Sequence, residues 1–328
     1  MRALLVVCVT LLGALGAALA TAVQVPQRQI EHFSPRPIPG ARLAFRGGLV
    51  LRGPRRLGAL SGLLVEGPKL LAVSDTGEWV TGRLVVEQGR LKALNDVQLF
   101  ERLDTDGAPV RAKRPSDAEA LAREDNAVLV LVEQATRLLS YPADGLAVDF
   151  SATPTEIPLS REEMRAGSEG IEALTRLSDG KILGIAEARL GEAKTARAFI
   201  LGGRRVLVRR RDGFAITGAD TMPGGDVFIL ERRYGGGLDV AMRVRRLGVD
   251  AFNGGPPADG PILLEADFSA EIDNMEGIAV EGESGEIVLT MVSDNNRSFL
   301  QRTLLLRFVV SDPRPRPNPL RVPQQPVH

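Results

Sequence analysis

Five pairs of positions along this 328-residue chain carry the groups with the most evident chemical potential. The first members are Ser61, Glu119, Glu172, Thr217 and Glu276, each followed by Gly or Ala. The second members are Asp75, Glu133, Glu187, Glu231 and Asp294. Offsets within the pairs are 14, 14, 15, 14 and 18 residues, and successive first members lie 58, 53, 45 and 59 residues apart. Recurrence at such a period marks a repeat architecture with one such pair per unit. Carboxylates gathered at one opening repel one another, so they require a cation, raised pKa values or arginine partners. Calcium takes six to eight oxygens in loose geometry and suits such a ring. Asp75, Glu119, Glu172, Glu276, Glu187 and Asp294 are the expected ligands, with Glu119 and Glu172 also expected to position an attacking water. The competing reading is that each carboxylate caps its own hairpin or pairs with the next unit.

Arginines accompany the second carboxylates: Arg137, Arg189, Arg232, Arg233 and Arg297, with Arg83 somewhat after Asp75. A guanidinium fork suits phosphate or carboxylate oxygens, so Arg189, Arg297 and Arg137 are the expected substrate-binding residues. The remaining arginines are expected to neutralise the acids beside them. Other chemistries are excluded by composition. His32 and His328 are the only histidines, which removes a Ser-His-Asp triad and a His-ligated zinc site from the globular region. Ser61 has no Gly-x-Ser-x-Gly context. Lys plus Arg and Asp plus Glu each total 41, and aromatics make up 4%, so neither a global field nor a stacking surface favours nucleic acid.

Short runs rich in Val, Ile and Leu, divided by Gly-, Asp- or Pro-containing turns, must position these groups. They cover Leu70–Ser74, Arg83–Glu87, Ala127–Glu133, Lys181–Glu187, Ala196–Leu201, Arg205–Arg209, Val227–Glu231, Asp239–Arg245, Glu286–Val292 and Thr303–Val310. A weak helical stretch lies at Arg161–Arg165. An antiparallel hairpin sets the start of its first strand level with the end of its second, so both members of each pair meet at one end. Arranged radially, the hairpins deliver them to a central channel. The expected fold is an all-β propeller of six antiparallel blades, the sixth drawn from Ser140–Pro158 or from the two chain ends. Leu43–Phe45 or Leu49–Leu51 is expected to close the ring against Thr303–Val310. The lone Trp79 either covers the channel mouth or packs a loop.

Residues 1–22 read as a secretory signal peptide: Arg2, an uncharged apolar run from Ala3 to Ala18, then small-x-small cleavage sites. Its Cys8 is the single cysteine, so the exported chain has no disulfide. Residues 23–40 form a Pro-containing linker, 41–310 the propeller and 311–328 a Pro-rich tail. The expected location is periplasmic or extracellular, as a monomer without stable membrane insertion after leader cleavage and without nucleic acid.

At Leu60-Ser61-Gly62-Leu63, Ser74-Asp75-Thr76-Gly77, Ser116-Asp117-Ala118-Glu119-Ala120-Leu121, Gly170-Ile171-Glu172-Ala173-Leu174 and Asn274-Met275-Glu276-Gly277-Ile278-Ala279, the chain resembles the bacterial family described as having esterase-like activity of phytase. The resemblance extends over about residues 45 to 310. It implies a secreted phytase-like propeller that hydrolyses phosphoesters or carboxylic esters of a small anionic substrate at an acidic central channel, with calcium (Ca2+) assistance. One departure stands out: Ser61 and Thr217 occupy positions where the other three units carry Glu. The alternative is a non-catalytic propeller that binds a small ligand or a protein partner through the same face.

Overall fold

The computed structural model describes residues 20–110, 117–132, 136–167, 170–187, 194–236 and 239–311. The expected leader up to residue 19, Glu133, Arg189 and the tail beyond residue 311 lie outside the described residues. What is described is almost entirely antiparallel sheet, with one short helix at Arg161–Gly167.

Five sheets succeed one another along the chain. Their first strands are Leu60–Glu66, Ala118–Glu124, Ile171–Arg176, Ala215–Thr221 and Asn274–Glu283. These pack side by side in sequence order, and the last packs against the first, so they surround an axis. The fold is a β-propeller, and the sheets are its blades 1 to 5. Each first strand turns back into a second strand: Lys69–Ser74, Ala127–Val132, Ile182–Ala186, Val227–Gly236 or Glu286–Asp294. Third and outer strands follow outward in each blade.

The six-blade expectation is corrected to five. The segment thought able to form an extra blade supplies blade 2 with its outer strands, because Arg137–Asp144 pairs with both Ala127–Val132 and Thr155–Ile157. The two chain ends likewise merge into one blade. Leu43–Leu51 pairs antiparallel with Thr303–Val310, from Thr303 opposite Leu51 to Val310 opposite Leu43. That is the expected closure, made inside blade 5. Gln27–Ile30, from the segment read as a linker, adds a further strand to the same blade, and Thr21–Ala22 pairs at the edge of blade 1.

Apolar side chains from alternate strand positions fill the spaces between blades. Five clusters occupy five interfaces: Val73, Trp79 and Tyr141 lie between blades 1 and 2, Leu129, Leu174 and Phe199 between 2 and 3, and Ile185 with Ile229 between 3 and 4. Phe228, Met275 and Phe308 join 4 to 5, while Leu49, Leu63 and Val292 join 5 to 1. Trp79 is fully buried and meets Tyr141 edge-on at 5.0 Å. Of its two expected roles it takes packing; it does not cover the channel.

Candidate functional site: an acidic mouth on the propeller axis

In every blade the register between first and second strand slips by one residue at the same place. The slips fall between Leu60 and Gly62, Ala118 and Ala120, Ile171 and Ala173, Ile216 and Gly218, and Met275 and Gly277. The extra residue at each bulge is Ser61, Glu119, Glu172, Thr217 or Glu276, the first member of its pair. A bulge leaves one residue outside the ladder and re-aims its side chain. Here all five residues line one axial constriction with a free volume of about 10 Å³, at the lower limit for a single water.

The Gly or Ala after each bulge has a steric reason. A Cβ on Gly277 would lie 2.8 Å from the Ser61 carbonyl oxygen, and one on Gly218 would lie 2.8 Å from that of Glu276. First strands of neighbouring blades approach too closely there for a large side chain.

Register also decides which second-strand residues reach the mouth. Ser74, Val132, Ala186, Glu231 and Ser293 stand opposite the residues that precede the bulges. One residue further on come Asp75, Glu187, Arg232 and Asp294, while Glu133, which follows Val132, lies outside the described residues. The fourth unit therefore presents Arg232, not Glu231, at the equivalent position. Shifting by one residue along a strand moves a side chain to the opposite face. Glu231 is accordingly buried in the body of the protein, where Arg245 grips both its carboxylate oxygens at 2.7 and 2.8 Å. Its place in the acidic ring is withdrawn.

Arg232 organises the mouth. It donates to Glu276 Oε1 at 2.5 Å and to Asn274 Oδ1, and lies 3.5 Å from Glu187 Oε1. Asn274 also donates to Glu276 Oε1, at 2.7 Å. Burial works against the Arg232 charge, yet Glu276, Glu187, Glu172 and Asp294 together hold its pKa above the usual value. Burial pushes the Glu276 carboxyl up to about 8; Arg232 opposes the shift, and Asp294 and Glu187 add to it. Burial raises Asp294 to about 6, with Asp75 and Asp273 adding and the Asn296 N–H opposing. At neutral pH Glu276 thus holds its proton and Asp294 is mostly ionised.

The expected site residues part company here. Glu276, Glu187, Glu172 and Asp294 act on Arg232, Asp75 acts on Asp294, and Glu119, Glu172 and Glu276 line the constriction. Arg137 is held by Asp104 at 2.9 Å and Glu156 at 2.7 Å, as a surface ion pair between strands and loop. Arg297 is exposed in the turn after Asp294, where its N–H donates to Asn295 Oδ1 at 3.0 Å. Asn274 escaped the sequence reading, and Arg232 entered it only as a neutralising neighbour. An offset of 15 from Thr217, equal to that from Glu172 to Glu187, was the signal available for Arg232.

Among the described residues no group of three acidic side chains is placed to hold one metal, and a guanidinium stands between Glu276 and Glu187.

The sequence profile described as phytase-like, "esterase-like activity of phytase", matches residues 55–297. This chain belongs to that family. The matched span runs from just before the first strand of blade 1 to the turn after Asp294 and so contains the whole mouth. No curated protein matches the sequence significantly. Solved structures similar in overall shape include the PQQ-bound aldose sugar dehydrogenase of Streptomyces coelicolor, at 13% identity and TM-score 0.41, covering 87% of this chain and 98% of that one. The glutaminyl cyclase of Myxococcus xanthus is similar at 14% identity and TM-score 0.42, covering 89% and 100%. At such identities nothing about chemistry passes from them.

Proposed function

We propose that this phytase-like propeller hydrolyses ester bonds of small anionic substrates at the axial mouth, with Glu276 and Asp294 as a general acid and base. The observation that carries the reading is the pair of neighbouring carboxyls whose environments set them at about 8 and about 6. Two neighbouring acids with separated pKa values suit opposite proton-transfer roles. Asp294 takes a proton from the attacking water. Glu276 gives its proton to the departing alkoxide oxygen. Arg232 keeps Glu276 in place and lends positive charge where the oxyanion develops. Family membership supports ester chemistry as the reaction class. Phosphate monoesters and carboxylic esters both meet these requirements, since each reaction needs an activated water and a protonated leaving group.

The pH profile tests this. The base works ionised and the acid works protonated, so kcat/KM against a phosphate-ester and acyl-ester panel should trace a bell. Its acid limb should lie near 6 and its alkaline limb near 8. Glu276→Gln should lower the rate by about 10²-fold or more and remove the alkaline limb. Assays with added calcium and with chelator complete the test. Activity that vanishes on chelation would replace this reading with a metal-dependent one, and no hydrolysis across the panel would favour the binding module.

A further inference from the structure

We propose that the edge of the mouth face where blade 5 meets blade 1 docks the protein onto an anionic phospholipid bilayer, a role beyond ester hydrolysis. A groove of about 490 Å³ runs there between the turn after Asp294 and the segment after the closing strand Leu43–Leu51. It is lined by Arg28, Arg52, Arg55, Arg297 and Arg302 and by no carboxylate. Arg302 is occupied by Glu271 at 2.5 Å and Asp273 at 3.5 Å. The other four are exposed, and among the described residues none forms an ion pair. They contrast with arginines such as Arg232, Arg137 and Arg245, whose charges are met by carboxylates.

A second, independent feature sits on the groove's rim. Phe299 is 96% exposed and Leu300 is 79% exposed, the two most exposed large apolar side chains described. They stand at the tip of a turn braced by its own backbone, with Ser298 N–H bonded to Asn295 O at 2.7 Å and Gln301 N–H to Ser298 O at 3.3 Å. Half-exposed Phe268 lines a neighbouring cavity together with Leu300. Adjacent large apolar residues held out into water are costly to leave there and mark an interaction surface.

The shape of the feature selects the occupant. The apolar element protrudes, so it suits a medium it can penetrate, and the flanking guanidiniums suit phosphate groups at that medium's surface. Apolar tip and cationic collar together match the interface of an anionic bilayer. The proposed contact is peripheral; no described helix is long and apolar enough to cross a membrane. Because Asp294 immediately precedes the turn, docking sets the acidic mouth close to the lipid surface.

Co-sedimentation of the purified protein with phosphatidylcholine vesicles, with and without phosphatidylglycerol, tests the proposal. Binding is expected to vesicles containing phosphatidylglycerol and to weaken as salt rises. Arg52→Gln and Arg55→Gln should each weaken partitioning by about fivefold. The double variant Phe299→Ser, Leu300→Ser should weaken it at least about tenfold, with its melting transition unchanged. Excess soluble glycerol phosphate should compete poorly, because it offers nothing to the apolar tip. Absence of vesicle binding at low salt, or binding indifferent to the Phe299 and Leu300 changes, would overturn the proposal. So would glycerol phosphate competing in full, or polyglutamate binding where vesicles do not.

Discussion

Glu276 is the residue on which the mouth turns, because burial and two neighbouring acids oppose its charge while one arginine supports it. A carboxyl whose folded pKa is raised above its unfolded value adds stability that is complete below the unfolded pKa and disappears as pH climbs through the folded one. For Glu276 that window runs from the ordinary value of 4.5 to about 8. The linked change amounts to at most about 5 kcal/mol. Thermal unfolding followed from pH 5 to pH 8.5 should therefore show a falling Tm in the native protein and a flatter profile in Glu276→Gln. Parallel profiles would mean that Glu276 ionises at its ordinary pKa. Burial also raises the Glu231 carboxyl, with Arg245 opposing the shift, but this residue serves the body of the protein. One position away from the mouth-facing register, it is enclosed with Arg245 and holds blade 4 together.

The bulge is the element that turns a hairpin into part of a site. Without it, the residue before each Gly or Ala would lie in the ladder and point between blades. With it, five side chains turn to the axis. The close approach of first strands then requires small neighbours. Gly277→Val would drive a branched side chain against the Ser61 carbonyl, already 2.8 Å from the nearest Cβ position. Overpacking of this kind costs about 1–3 kcal/mol. The urea midpoint should fall accordingly, and the proposed ester hydrolysis should fall with it, since Glu276 is the adjacent residue. An unchanged midpoint would show that the first strands can separate freely.

At the scale of the molecule, the ring is a closed circuit of blade-to-blade interfaces, and its fastening lies in blade 5. Strands from the two chain ends pair there at seven positions of the eight-residue strand Thr303–Val310. Removing residues 20–51 would withdraw Ile30, Phe33, Leu43, Leu49, Val50 and Leu51 from the core. At about 1.5–3 kcal/mol per buried side chain, the loss is comparable to the net stability of a whole domain. It would also leave Thr303–Val310 as an open edge. Calorimetry of the shortened chain should show no single cooperative transition. A sharp transition near the native Tm would mean that the remaining strands close the propeller unaided.

Much of this fold was legible in the residues alone. Alternating apolar runs and explicit turns located the strands because burial on a sheet face has a period of two, and that period survives in any single sequence. The recurrent acid-small pairs located the axis, because both the axial side chain and the small neighbour answer to local geometry. What the sequence could not determine depends on partners distant along the chain. Blade number followed from where the outer strands found their neighbours, with Leu43–Leu51 crossing most of the sequence to reach Thr303–Val310. The choice between Glu231 and Arg232 at the mouth depended on a one-residue slip visible only once two strands are paired. That same slip brings a guanidinium into the midst of the gathered acids. Residue types and spacing determined which groups converge, and tertiary register decided their charge partners.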